Sequence, residues 1–154
     1  MKWRYVLRII NIIFPAIGIG LMIYYDACDT SCAYLKGTFA GIDLKYIGIL
    51  FMALLLALAL LPALPRITSP VNHLRTIMLA GSLGAEVLLV RFQIVKDTHC
   101  PFCLAFGACL LIMLVANLTQ MNKYLAIAAF LAGIGAFALF FNGSVLPPSY
   151  VMVG

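Results

Sequence analysis

Residues 99–118, HCPFCLAFGACLLIMLVANL, place a Cys-x-x-Cys pair directly at the start of a long apolar run. A membrane helix needs about 20 predominantly apolar residues, and this stretch has that length and composition. A second pair, Cys28 and Cys32, also borders an apolar segment. Two thiol pairs at membrane boundaries indicate electron transfer by disulfide exchange.

The composition indicates an integral membrane protein. Of the 154 residues, 65% are hydrophobic and 10% are charged, whereas soluble domains are about 25% charged. A chain of this length is expected to form one domain, residues 1–154. Most of that domain must lie in membrane spans, so we expect no soluble catalytic domain.

Five apolar runs predict five membrane-spanning helices and an all-α integral membrane fold. Prolines at 62, 65 and 70 crowd one connection, and polar residues 120–123 form another. The predicted spans cover residues 6–25, 46–63, 77–95, 100 or 104 to 118, and 124–141.

The basic residues predict the orientation. With five spans and a cytoplasmic N-terminus, six Lys and Arg residues and no acidic residue lie inside, while four basic and four acidic residues lie outside. Lys and Arg near span ends favour the cytoplasmic side. The two cysteine pairs follow the first and third spans, so both are predicted on the exoplasmic face, where disulfides form and persist.

The position of the second pair favours a reactive thiolate. Pro101 suits a first helical turn, which puts Cys100 near the N-cap and Cys103 one turn further in. Helix N-termini stabilise thiolates through unpaired N–H groups and the helix dipole. Cys109 lies on a different helix face and is predicted to be a small buried hydrophobe.

Other uses of the cysteines stay open at this point. Cys28, Cys32, Cys100 and Cys103 could form static disulfides or bind a soft metal ion, although zinc sites usually take two separated Cys-x-x-Cys pairs from soluble knuckles. Cys28 could also be the lipidated residue of a lipoprotein signal, because residues 1–25 have a basic start and an apolar core.

Two charged residues fall within the third predicted span. Glu86 is near its middle, where an ionisable group is costly and is by default a functional-site candidate. It could help to protonate a ligand, or it could be neutral and hydrogen-bonded within the bundle. Arg91 is five residues later, off the same helix face, and is expected to extend outward; a role in stabilising a thiolate is the alternative.

These residues resemble the vitamin K epoxide reductase family and its bacterial disulfide-forming homologues. The resemblance rests on the order of the two cysteine pairs and on residues 28–44, and it covers about residues 1–120. A Ser or Thr six residues beyond the second loop cysteine, followed by a Gly-containing turn, is typical of the family, and Thr38 and Gly41 fit those places. Some members carry a quinone-contacting Tyr where this chain has Gly107, and Phe106 is the neighbouring candidate for that contact.

The resemblance implies a fold, a function and a site. It implies a core of four transmembrane helices plus a fifth C-terminal helix, with a cysteine-bearing exoplasmic loop after the first helix. A reduced partner thiol would attack the Cys28–Cys32 disulfide, Cys32 would exchange with Cys100, and Cys103 would pass electrons to a quinone. The residues expected to contact the quinone are Cys103, Phe106, Thr38, Glu86 and Arg91.

The same resemblance implies the setting. The quinone would be ubiquinone or menaquinone, and the redox partner a separate thioredoxin-fold (DsbA-like) periplasmic protein, since we expect no fused thioredoxin-like domain. We expect the bacterial inner membrane as the location and lipid as the surroundings, with no metal ion and no nucleic acid bound.

Overall fold

The structure is a computed structural model that describes residues 2–27, 35–61 and 68–145, and it is mostly helical. Cys28 and Cys32 lie outside the described residues. The helices are α1 (Lys2–Ala27), α2 (Leu44–Leu60), α3 (Thr68–Val95), α4 (Pro101–Asn117) and α5 (Lys123–Phe140), and a 3₁₀ turn covers Leu118–Gln120. Three short strands are β1 (Leu35–Phe39), β2 (Ile42–Asp43) and β3 (Phe141–Val145).

The helices confirm the five apolar segments predicted from the sequence. Four of them, α1, α3, α4 and α5, are long and apolar enough to cross a membrane, which indicates a membrane protein. Helix α2 is equally apolar but has 17 residues, about 25 Å at 1.5 Å per residue. The end of its predicted span, residues 62 and 63, lies outside the described residues.

The helices alternate in direction, which brings five helix ends together at one end of the bundle. The C-terminal ends of α1, α3 and α5 meet the N-terminal ends of α2 and α4. The contacts that join them are Tyr24 and Tyr25 with Phe102, Asp26 with Lys45, and Phe92 with Phe141. Ala27 and Leu35, which flank the segment containing Cys28 and Cys32, therefore lie at the same end as Cys100.

Small residues allow α3 and α5 to approach closely. A methyl group on Gly133 would overlap the carbonyl oxygen of Gly81, and one on Gly84 would overlap the carbonyl oxygen of Phe130. Helices in lipid gain little from the hydrophobic effect and associate through close packing of small residues instead. Helix α5 is held on α3 by this backbone contact.

The centre of the bundle is a cluster of buried apolar residues from α2, α3 and α4. Its members are Met52, Leu55, Leu79, Phe106, Cys109, Leu110 and Met113. A buried polar contact joins α1 to α4, because the Asn11 and Asn117 amides donate to each other at 3.1 and 2.8 Å. Reciprocal amide bonds satisfy polar groups that would otherwise be costly to bury.

The all-α prediction missed a small antiparallel sheet at the end of the bundle where Cys100 lies. Strand β1 lies between β2 and β3. Ala40 and Gly41 connect β1 to β2 with φ values of 51° and 83°, as a two-residue type I′ hairpin requires. Strand β3 continues directly from α5 and pairs with all five residues of β1. The sheet thereby ties the end of α5 to the chain that enters α2.

Candidate functional site

A tight turn between α3 and α4 positions the cysteine pair. At the end of α3, Thr98 N–H donates to Gln93 O and Asp97 N–H donates to Ile94 O, which is the bond pattern of a Schellman motif. Asp97 occupies its left-handed position with φ 49°, a conformation that Asp tolerates better than most residues. The Gln93 side chain, 2% exposed, then accepts the Cys100 N–H at 2.9 Å.

Cys100 is the N-cap of α4, as predicted, and Pro101 occupies the first turn. The Cys100 sulfur accepts the Cys103 N–H at 3.4 Å, and the Cys103 thiol donates to the same sulfur at 2.9 Å. Both cysteines are free thiols. A dithiol with its sulfurs in contact can close to a disulfide with little movement, because the bond requires about 2.05 Å.

The surroundings of Cys100 favour its thiolate. The hydrogen bond from the Cys103 thiol, helped by the Cys103 and Phe102 N–H groups, lowers the pKa of Cys100 to about 6 despite the opposing effect of burial. A thiolate, not a thiol, is the nucleophile in disulfide exchange. The sulfur best suited to exchange is therefore Cys100, although its side chain is only 3% exposed and must be uncovered before another sulfur can reach it.

Titration should show this thiolate directly. A lowered pKa means that Cys100 is ionised above about pH 6 and protonated below it. The ultraviolet thiolate absorbance of the reduced protein, minus that of a Cys100→Ser variant, should rise with a midpoint near pH 6. An ordinary cysteine would give a midpoint near 8.5, and that result would contradict the N-cap stabilisation.

A mostly apolar cavity of about 280 Å³ opens beside Cys103. All five helices and β1 contribute to its wall. Its polar and ionisable lining residues are Tyr25, Asp43, Lys45, Ser82, Glu86 and Cys103. Larger apolar lining residues include Met22, Phe51, Leu89, Phe106, Leu110 and Phe137. An apolar pocket with a few convergent polar groups is the usual form of a small-molecule site.

The structure brings together three of the five residues expected to contact a quinone. Cys103, Phe106 and Glu86 all line the cavity. Thr38 does not: its neighbours Gly37 and Phe39 line the cavity, so by strand alternation Thr38 faces the other side of β1, where its hydroxyl donates to Asn142 O at 3.4 Å.

Arg91 also lies away from the cavity. It is exposed on α3 and is absent from the cavity wall. This placement agrees with the outward orientation expected from its spacing to Glu86. The two cysteines of the loop, Cys28 and Cys32, cannot be placed, because they lie outside the described residues.

Several site residues were not predicted from the sequence. Gln93 holds the Cys100 backbone, and its only sequence signal is an amide near the end of an apolar span. Gly133 and Phe137 of α5 line the cavity, and Lys45 lies at its wall beside its ion-pair partner Asp26. Nothing in the local sequence indicates a site at these last three residues, because the folding of distant helices brings them to the cavity.

Cys109 lies apart from the cysteine pair, and the described residues also bear on the metal-binding alternative. Cys109 is 7% exposed and belongs to the apolar core, which confirms its predicted packing role. Among the residues that the structure describes, no three His, Cys, Asp or Glu side chains form a group that could hold a metal ion. The four-cysteine site proposed as an alternative includes two residues outside that part of the chain.

Comparison with known proteins adds no assignment: no protein-family profile matches the chain, and no curated protein matches its sequence.

Proposed function

We propose that this protein is a membrane thiol oxidase similar to vitamin K epoxide reductase, which transfers electrons from exoplasmic thiols to a quinone. The observation that carries the proposal is the position of the dithiol, which has one sulfur at the N-cap of α4 and the other at an apolar cavity. Cys100, the helix-cap sulfur, is chemically suited to exchange, and Cys103 lines an apolar cavity within the bundle.

The first half of the reaction would be disulfide exchange. A reduced thioredoxin-fold partner gives two electrons to the Cys28–Cys32 disulfide and becomes oxidised itself. Cys32 then attacks the Cys100–Cys103 disulfide at Cys100, and Cys28 resolves the mixed disulfide, which leaves Cys100 and Cys103 reduced. Support comes from the chain geometry, since Ala27 and Leu35 lie at the same end of the bundle as Cys100.

The second half would reoxidise the Cys100–Cys103 pair. The cavity residues fit a quinone ring, because apolar side chains form most of the wall and Cys103 and Glu86 supply polar groups. A bound ubiquinone or menaquinone would accept two electrons and become the quinol. Phe106 provides an aromatic surface next to Cys103, since both side chains line the cavity.

The proposed location is a bacterial inner membrane with the N-terminus in the cytoplasm. The sequence predicts six Lys and Arg residues on the side that holds the N-terminus and four on the other side, and such residues favour the cytoplasmic face. This orientation directs the Cys100 end of the bundle to the exoplasmic side, where thiol oxidation is useful to secreted proteins.

The test is electron transfer by the purified protein in lipid vesicles. With a reduced thioredoxin-fold protein as donor, we expect quinone-dependent loss of donor thiols and formation of one quinol per disulfide. The protein isolated without reductant should contain disulfides and copurifying quinone. Reduced cysteines with a stoichiometric soft metal, and no thiol oxidation on addition of quinone, would instead support the metal-binding alternative.

A further inference from the structure

The Glu86 carboxyl occupies space that exists because residue 107 is glycine. A methyl group on Gly107 would lie 3.1 Å from Glu86 Oε2 and 3.5 Å from its Cδ, which is tight enough that the carboxyl would have to shift by a few tenths of an ångström to admit it. Gly107 lies four residues after Cys103 on α4, and residues at this spacing are neighbours on one helix face. The carboxyl of α3 therefore packs on the turn of α4 that follows Cys103.

This carboxyl has no evident structural role. Glu86 lines the cavity, and within residues 2–27, 35–61 and 68–145 it makes no hydrogen bond and no ion pair. An ionisable group in a membrane span is costly and is retained mainly for function. The carboxyl is thus free to act on whatever occupies the cavity.

The proton balance of the proposed reaction requires a nearby acid. Reduction of a quinone to a quinol takes up two electrons and two protons. The cysteine pair supplies both electrons when its disulfide forms, but it supplies only one proton when Cys100 is already a thiolate, as its N-cap position favours. The second proton must come from another group at the cavity wall.

We propose that Glu86 is the acid that donates this second proton. This inference rests on the proposed quinone reductase function. In the balanced step, the Cys100 thiolate and Cys103 thiol form a disulfide, their two electrons pass to the quinone, and the Cys103 proton and the Glu86 proton complete the quinol. Glu86 is left as a carboxylate and regains its proton from water.

Other titratable groups on the wall are less suited to this role. Asp43 ends β2, and Lys45 lies in the first turn of α2, where it pairs with Asp26. Tyr25 comes from the end of α1 and already takes part in another interaction. Glu86 is the acidic side chain that packs directly on the α4 turn next to Cys103. Arg91, the nearby charged residue on α3, is exposed and does not line the cavity.

The decisive variant is Glu86→Gln, which keeps the shape of the side chain and removes its proton. Quinone reduction should slow by about 10²-fold, the usual contribution of a general acid. Quinone affinity and the exchange of the Cys100–Cys103 disulfide with the partner should change by less than about twofold, since neither uses this proton. Gly107→Ala, which shifts the carboxyl by a few tenths of an ångström, should slow quinone reduction to a smaller extent.

Infrared difference spectroscopy gives a readout independent of turnover. In a time-resolved measurement, addition of quinone to the reduced parent protein should cause a transient loss of a protonated-carboxyl band before Glu86 regains its proton, and that change should be missing in Glu86→Gln. Asp97→Asn is the matched control, because it removes an exposed carboxylate outside the cavity and Asn tolerates the left-handed backbone at that position. This control should show the same transient loss of the band on addition of quinone, and it should reduce quinone at the parent rate.

The outcomes separate the two proposals. If the parent reduces quinone and Glu86→Gln does so at the parent rate, Glu86 is not the donor although the protein is still a quinone reductase. A loss of quinone affinity in Glu86→Gln that accounts for the whole loss of rate would show that Glu86 acts only as a binding contact, and this result would also overturn the inference. If the parent reduces no quinone, the proposed function and this inference fail together.

Discussion

A Cys103→Ser protein should reduce no measurable quinone, a loss of about 10³-fold or more, as expected when a member of a covalent catalytic unit is removed. Cys103 is the sulfur that lines the cavity, and without it the pair cannot form the disulfide that releases two electrons. Quinol formation with the thioredoxin-fold donor is the measurement. A stably folded Cys103→Ser protein that works near the parent rate would contradict the site assignment.

Cys109→Ala is the control for this experiment. Cys109 lies six residues further along α4 and is buried in the apolar core, so its loss should cost about 1 kcal/mol of stability through a small cavity. Quinone reduction should stay near the parent rate. Loss of activity in a folded Cys109→Ala protein would mean that a cysteine outside the proposed pair takes part in the chemistry.

The complementary variants distinguish the roles of the two sulfurs. Cys103→Ser leaves Cys100 able to exchange but without a resolving partner, so a mixed disulfide between Cys100 and Cys32 should accumulate. Cys100→Ser leaves Cys103 beside the quinone without its partner, and a charge-transfer absorption band should form on ionisation of that thiol. Trapping of a mixed disulfide at Cys103 instead would reverse the assigned direction of transfer.

The helices and the N-cap were predictable because their causes are local. An apolar run long enough to cross lipid must become a helix, since no other open structure satisfies the backbone there. Pro101 cannot donate an N–H and has a helical φ, so it indicated the start of α4 and the cap position of Cys100. Both features depend on a few neighbouring residues.

The sheet was missed because its pairing is not local. Strand β3 contacts β1 across more than 100 residues, and its first residue, Phe141, continues the apolar pattern of α5. The β1–β2 turn uses Ala40 where Asn or Asp usually marks a type I′ hairpin. Each strand is short, and β1 and β3 each contain a glycine, so no alternating pattern indicated a strand.

The candidate site was predicted only in part, because some of its residues are brought together by contacts between distant segments. Glu86 was singled out by the cost of an acid in lipid, and Phe106 and Cys103 by their positions in the α4 motif. The resemblance also selected Thr38, but strand alternation turns its side chain away from the cavity. The α5 residues that line the cavity reach it only because α5 packs against α3. The sequence of a single segment does not predict that packing.

The close packing of α3 against α5 predicts a large effect on stability. Gly133→Ala should destabilise the protein by about 1–3 kcal/mol, the usual cost of overpacking. The new methyl group would overlap the Gly81 carbonyl, and a backbone atom cannot rotate away as a side chain can. Helices α3 and α5 must separate to admit it. The midpoint of thermal unfolding in a fixed detergent measures the change.

Gly135→Ala is the matched control, because it makes the same substitution two residues later on α5. Nothing lies within 4 Å of the methyl group it would add, so the unfolding midpoint should stay the same or rise slightly through better helix propensity. Equal losses for both variants would show that helix flexibility, not the α3–α5 contact, makes glycine necessary. Since Gly81 and Gly133 also line the cavity, only Gly133→Ala should weaken quinone binding, which would connect the position of α5 to the site.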